Sequence, residues 1–194
     1  FKAEITPTDF APLSTNLRNI YTRYSIIVEA DGTYRKLRIN HLLINNNAQS
    51  TLLHAKGWIN NIGSKPNWKF FLNPVKVNNE TLNIIAKLAH QTLPSALNNL
   101  GDLYYKGSIS SIRGNLNAHG ILRSSAGTAQ LTTNIHGKNI RAKVNTSDFN
   151  IGRLIANPDF GTISTNIFID GKADLSYILA KGDIHSFGYK GYSY

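Results

Sequence analysis

The 194-residue chain has no cysteine, no methionine and little acidic charge. Without cysteine it can form no disulfide framework, no thiolate zinc site and no thiol nucleophile, so cysteine usage does not indicate a compartment. Charged residues make up only 16% of the chain, below the ~25% of ordinary soluble domains. Asparagine, with 23 residues, fills much of that gap. Hydrophobic residues make up 41%, which is enough for a core, and we expect one domain or a few units of a repeat.

Long apolar runs are also missing, the longest being three or four residues, as at 177–180. No stretch is therefore long enough to span a membrane as a helix. The chain begins at Phe1 without the basic and apolar stretch of a signal peptide. We expect it to be a piece of a longer protein whose anchor or targeting signal lies elsewhere.

The charge is mostly of one sign, with 21 Lys and Arg against 11 Asp and Glu and a net charge of +10. A nucleic-acid site needs clustered basic residues, whereas here they come singly, most densely at 35–38. We therefore expect no nucleic-acid partner. A basic surface beside anionic lipid is at least as natural, and solubility accounts for most of these charges.

Motifs of catalysis are absent from the sequence, which has no GxSxG, P-loop or GxGxxG pattern. The six histidines do not have metal-ligand spacing, and Asp183 and His185 form a pair without a third partner nearby. We expect no enzyme activity, no metal and no cofactor. A carboxylate pair assembled only by the fold is left open by the sequence.

Alternation of apolar and polar residues dominates the chain and predicts β-strands. The alternating stretches are 24–30, 37–44, 53–59, 68–72, 103–109, 116–122, 129–135, 140–144, 163–169 and 178–184. The alternation changes phase between Ile39 and Leu42, which predicts a bulge near His41. Most strands have one apolar and one polar face, which is typical of an antiparallel sheet with one wet side.

Three segments break this rhythm. Residues 79–92 have helical spacing and precede Pro94, while residues 8–13 and 147–154 resemble each other as short capped helices. The recurrence predicts a first β unit at 1–76, a second at 77–147 that begins with the helix at about 79–92, and a truncated third at 148–194.

The pattern predicts an all-β, mainly antiparallel, elongated fold with short helices. Two arrangements of its apolar face are open: a sandwich of two sheets that cover each other, or a curved sheet whose apolar concave face is a groove for lipid tails or for strands of another protein. The candidate lining of such a groove is Leu103, Leu116, Ala118, Leu122, Leu131, Ile135, Ile140, Val144, Ile163, Ile167 and Ile169.

Several stretches resemble one family. LPSALNNLGDLYYKGSI at 93–109 and AGTAQLTT at 126–133 are similar to segments of the TamB translocation and assembly module proteins of Bacteroidetes-type bacteria. DFNIGRLI at 148–155, followed by FGTISTNIFIDG at 160–171, resembles the helix-to-strand element that recurs in the wider AsmA-like superfamily. The likeness covers roughly residues 93–194 and is fainter over 1–62.

This resemblance implies a taco-shaped β-sheet with an apolar interior, without catalytic residues. It implies a fragment of a periplasmic protein that is anchored in the inner membrane outside this chain and reaches toward the outer membrane. The expected partners are phospholipid acyl chains or outer-membrane β-barrel assembly proteins. The expected role is a scaffold or conduit for phospholipid transport between the membranes or for outer-membrane protein assembly.

A second class of function is an extracellular binding module, either a β-solenoid adhesin or a carbohydrate binder. Sugars stack on ladders of exposed aromatic rings. The candidate rings are Trp58, Trp68, Phe70, Phe71, Phe187, Tyr189, Tyr192 and Tyr194. They follow the strand alternation too loosely to predict one platform.

Overall fold

A computed structural model of the chain describes residues 1–10, 21–46, 51–63, 65–88, 95–172, 174 and 176–194. Its strands are β1 (Lys2–Ile5), β2 (Tyr24–Thr33), β3 (Lys36–Asn46), β4 (Leu52–Asn60), β5 (Asn67–Val77), β6 (Leu103–Ile112), β7 (Asn115–Ser124), β8 (Gly127–His136), β9 (Asn139–Asn150), β10 (Phe160–Lys172), β11 (Ile178–Tyr189) and β12 (Tyr192–Ser193). The helices are α1 (Asn79–Leu88), α2 (Ile151–Ile155) and the 3₁₀ segments Pro7–Phe10 and Ser95–Leu100.

All twelve strands form one sheet in chain order, and each pairs antiparallel with its neighbours. The predicted all-β, antiparallel fold is confirmed, and the sandwich alternative is wrong because there is no second sheet among the described strands. The sheet is open, with β1 and β12 at its two edges. Strands from all three predicted units join it, and the division into units stays a prediction.

Bulges and glycines follow a line across the sheet. The ladder shifts between Ile39 and Leu42 on β3, which confirms the predicted bulge near His41, and shifts again between Leu72 and Val75 on β5. On β6 and β7, Gly107 and Gly120 face each other near this line. Bulges and glycines bend strands and increase their twist, so the sheet has bending points along its length.

The helical segments pack at one end of the sheet. Leu100, Leu103 and Ala126 are the buried centre of a cluster that also includes Leu82 of α1 and Leu154 of α2. Helix α1 begins where predicted, because the Asn78 side chain accepts a hydrogen bond from the Thr81 amide at 2.9 Å. The helices among the described residues are too short and too polar to cross a membrane.

The other two predicted helical segments are only partly as expected. Of the predicted helix at 8–13, residues 8–10 belong to a 3₁₀ segment, and residues 11–13 lie outside the described residues. The last part of the predicted helix at 79–92, residues 89–92 with His90, and Pro94 after it also lie outside them. In the predicted helix at 147–154, the first four residues belong to β9, and helix α2 begins at Ile151. Its N-cap is Asn150, whose side chain accepts from the Arg153 amide at 2.7 Å.

Candidate functional site

The strand register places one apolar row above the next on a single face of the sheet. One row, defined by directly opposed residues on neighbouring strands, contains Val28, Leu42, Ala55, Leu72, Gly107, Gly120, Leu131, Val144 and Ile167. The next contains Ala30, Ile39, Gly57, Phe70, Ile109, Ala118, Thr133, Ala142 and Ile169. We call this side of the sheet the apolar face. At ~4.8 Å between strands, each row runs roughly 40 Å across the sheet.

All eleven predicted lining residues lie on the apolar face. Leu131, Val144 and Ile167 oppose one another in the first row above. The remaining eight follow from the same register: Ala118 and Ile169 in the second row, Leu116, Ile135 and Ile140 in a third, Leu122 in a fourth, and Leu103 and Ile163 beyond it. Whether they line a groove stays a prediction.

The burial of this face differs between its two ends. Leu103 and Ile163, at the helical end, are 7% and 9% exposed, whereas Leu116, at the opposite end, is 39% exposed. Most of the other lining residues are half-buried. No described side chain is less than 2% exposed. The apolar face is therefore shielded by its own neighbouring side chains and, at one end, by the helices.

The first half of the chain contributes lining residues that the sequence-based list omitted. Ile39, Ala55 and Leu72 are among the most buried apolar residues of the described chain. Their alternation at 37–44, 53–59 and 68–72 is as clear as that in the second half and could have identified them.

The Tyr105 side chain lies on the apolar face beside two glycines. A Cβ built on Gly107 would lie 2.8 Å from the Tyr105 hydroxyl oxygen, and a Cβ on Gly120 would lie 2.8 Å from its Cζ. The Tyr105 ring thus fills the space above two facing glycines, and its hydroxyl donates to the Ser108 carbonyl at 3.3 Å. Burial raises the pKa of Tyr105 above its ordinary value, because a phenolate loses hydration there.

The opposite side of the sheet, which we call the polar face, is held by side-chain hydrogen bonds and one ion pair. Asn134 donates to Asn117 at 2.7 Å, and the Arg141 guanidinium contacts the Asp170 carboxylate at 3.3 Å. These contacts join neighbouring strands. Groups of three or more His, Asp or Glu with metal-binding geometry are not found among the described residues.

The aromatic residues do not gather on one face. Trp68 and Phe70 lie on the apolar face with ring centroids 5.8 Å apart. Trp58 and Phe71 lie on the polar face, where the Lys69 ammonium is 4.9 Å from the Phe71 ring centroid.

The aromatic residues near the C-terminus are also divided. Phe187 and Tyr189 pack with Phe160 at centroid distances of 5.9 and 5.3 Å and with each other at 6.5 Å, while Tyr192 and Tyr194 are exposed.

A small apolar pocket opens on the apolar face near the hairpin turns. Its volume is about 440 Å³, and its lining is Ile59, Ile62, Pro66, Trp68, Phe70 and Ile109. A second pocket of about 730 Å³ adjoins it at the edge of the sheet, lined by Lys65, Pro66, Asn67, Trp68, Ser111, Arg113 and Gly114. Pro66 and Trp68 belong to both. An apolar pocket therefore lies next to one lined by two cations.

Comparisons of the chain with protein-family models, with curated proteins and with solved structures find no match.

Proposed function

We propose that the chain is a non-enzymatic lipid-binding segment, whose apolar face holds phospholipid acyl chains. The observation that carries this proposal is the apolar face itself: successive rows, mostly of Leu, Ile, Val, Ala and Gly, cross nine strands, and no second sheet lies over them among the described strands. A contiguous apolar face of this extent that stays partly exposed is typical of a binding site rather than of ordinary surface. Flexible aliphatic chains fit such a face because it offers contact area and few directional polar groups.

The resemblance of residues 93–194 to TamB proteins supports the same proposal and gives it a setting. In that setting the chain lies in the periplasm as part of a longer, inner-membrane-anchored protein, and phospholipid moves along the apolar face between the two membranes. Support for outer-membrane protein assembly is a variant of this role, in which strands of a client protein take the place of acyl chains.

The proposal predicts that lipid contacts only one side of each strand. Photo-crosslinking side chains placed at Leu131, Val144 and Ile167 should form lipid adducts when the protein is expressed in bacterial cells, because these three residues oppose one another on the apolar face. Mass spectrometry of the purified protein detects the adducts.

Matched controls come from the residues next to them in the same strands. Probes at Gln130, Lys143 and Asn166 point to the polar face and should give no lipid adducts. Equal labelling of both sets would contradict the proposal. Adducts with protein instead of lipid at the inward set would favour the assembly role, and glycan binding without lipid would favour the extracellular module.

A further inference from the structure

Five hairpin connections meet at one edge of the sheet, opposite the helical end. They join β2 to β3, β4 to β5, β6 to β7, β8 to β9 and β10 to β11. Each carries at least one basic residue in or beside the turn; the set is Arg35, Lys36, Lys65, Arg113, Lys138 and Lys172. We call this edge the cationic rim.

Acidic residues do little to neutralise this rim. Among the described residues of these five turns, Asp174 is the one carboxylate. Hydrogen bonds from Ser176 lower the pKa of Asp174. Of the ion pairs among the described residues, Lys76 with Asp102 lies at the helical end, and Arg141 with Asp170 lies within two residues of the rim but involves neither Lys65 nor Arg113. Within the described part of the chain, Lys65 and Arg113 therefore have no ion-pair partner.

Lys65 and Arg113 line the same pocket, and hydrogen bonds hold the segments that carry them. The Arg113 amide donates to the Asn67 side chain at 2.7 Å, which ties the β6–β7 turn to the start of β5. The amide of Ile62 donates to the Tyr34 carbonyl at 3.0 Å and so fixes the β4–β5 loop against the neighbouring turn. Both cations then line the rim pocket beside Trp68.

The neighbouring apolar pocket indicates which class of ligand fits this cationic site. The two pockets share Pro66 and Trp68, so a molecule that fills both must be apolar at one end and anionic at the other. Two cations without a carboxylate partner complement a phosphate. Ile59, Phe70 and Ile109 offer only hydrocarbon surface to the part beyond it.

We propose that Lys65 and Arg113 bind the phosphate of a glycerophospholipid whose acyl chain enters the adjoining apolar pocket. This headgroup site rests on the proposed lipid-binding function and adds to it where the phosphate is held. With this site, lipid headgroups lie at the cationic rim and not at the helical end. The acyl chains contact the apolar face.

Trp68 provides a reporter for this one pocket. In a Trp58→Phe background it is the remaining tryptophan, and phospholipids with brominated acyl chains should quench it on binding. The probes are brominated phosphatidylglycerol, which has a phosphate, and brominated diacylglycerol, which has none. Quenching titrations with each probe give the two affinities.

The double variant Lys65→Gln/Arg113→Gln should bind phosphatidylglycerol about tenfold or more weakly, since each basic residue near an anionic headgroup contributes on the order of a few-fold or more in affinity. Its affinity for diacylglycerol should not change. Arg113→Lys, which keeps the charge, should retain most of the phosphatidylglycerol affinity. Circular dichroism checks that each variant is folded.

The control is Lys143→Gln/Lys190→Gln, which removes the same charge outside the cationic rim, from the polar face of β9 and from the β11–β12 turn; Lys190, like Lys65 and Arg113, has a positive φ. An equal loss of phosphatidylglycerol affinity in this control would overturn the site in favour of diffuse attraction. Unchanged affinity in the Lys65/Arg113 variant would overturn it while the proposed function stands. Full displacement by millimolar inorganic phosphate would assign the site to free phosphate. A wild-type protein that binds neither lipid would overturn the proposed function as well.

Discussion

Tyr105 is the residue at which packing and polarity conflict most directly. Its ring covers two glycines that face each other across β6 and β7, and an aromatic ring over a strand glycine restores apolar contact that the glycine lacks. Its hydroxyl, however, reaches a half-buried site, where it has backbone partners in Ser108 and His119. The ring should therefore stabilise the sheet, while the hydroxyl adds little.

We predict that Tyr105→Ala lowers the free energy of unfolding by about 2 kcal/mol, because it uncovers the paired glycines and leaves a void. Tyr105→Phe keeps the ring and should change stability by less than about 1 kcal/mol. Urea unfolding followed by circular dichroism measures both. A Tyr105→Phe variant as unstable as Tyr105→Ala would show that the hydroxyl, not the ring, is the stabilising group.

The stability of the wild type and that of Tyr105→Phe should depend differently on pH. Because the pKa of Tyr105 is raised on folding, the folded protein keeps this proton at pH values where the unfolded chain has lost it. The stability that this provides is complete below the unfolded pKa of about 10 and is lost as pH rises through the folded pKa. Above about pH 10 the wild type should therefore lose stability more steeply than Tyr105→Phe.

At the scale of elements, α2 shows how a short helix is fixed between two long strands. It has five residues, too few to be stable alone. The Asn150 side chain caps its first turn, and the amide of Asn157 closes its end by donating to the Gly152 carbonyl at 2.9 Å. Asn99 also donates to its Leu154 carbonyl at 2.9 Å. Its stability therefore comes from caps and from the helical cluster around Leu100.

We predict that Asn150→Ala lowers the free energy of unfolding by about 1 kcal/mol through loss of the N-cap. Asn150→Asp keeps an acceptor for the Arg153 amide and should restore most of it. Thermal and urea unfolding of the three proteins make the comparison. If Asn150→Asp were as destabilised as Asn150→Ala, the cap would not be the source of the effect.

At the scale of the whole molecule, the apolar face should tolerate a charge better at its open part than beside the helices. Ile167 is half-buried, whereas Ile163, four residues away on the same strand and face, is 9% exposed. A buried carboxylate without a partner costs several kcal/mol. We predict that Ile163→Asp destabilises the protein by about 2 kcal/mol or more beyond Ile167→Asp.

Ile167→Asp should also abolish lipid adducts at Leu131 and Val144, because a carboxylate in their row opposes an acyl chain. Ile167→Ala removes most of the side chain without adding a charge, so it should retain the adducts. Differential scanning calorimetry measures the stability difference. Collapse of Ile167→Asp to the level of Ile163→Asp would mean that the face is sealed, which would contradict an open groove.

Local patterns predicted most of this architecture. Alternation alone places Leu131, Val144 and Ile167 on one face, because successive side chains in a strand point to opposite sides. The same rule predicted the strands and, through the change of phase at 39–42, the bulge. It could not show that the sandwich is wrong, since a face covered by a second sheet and an uncovered one have the same sequence period.

Pairings between distant residues were beyond those patterns. Lys65 and Arg113 come together because the β4–β5 loop and the β6–β7 turn lie side by side, which follows from strand order and not from the spacing of either residue. The position of Tyr105 over Gly120 likewise depends on the register of β6 with β7. The sequence contains these residues but gives no local signal of their contact.

The chain-order arrangement of the strands has a consequence for how the protein folds. Every strand pairs with those before and after it along the chain, so its interstrand contacts are close in sequence, and low contact order speeds the search for the native state. Each new strand can add to the edge left by the previous one, as in arrays whose units contact only their neighbours. During synthesis, when the N-terminal part emerges first, the sheet can therefore grow strand by strand before the rest of the chain is made.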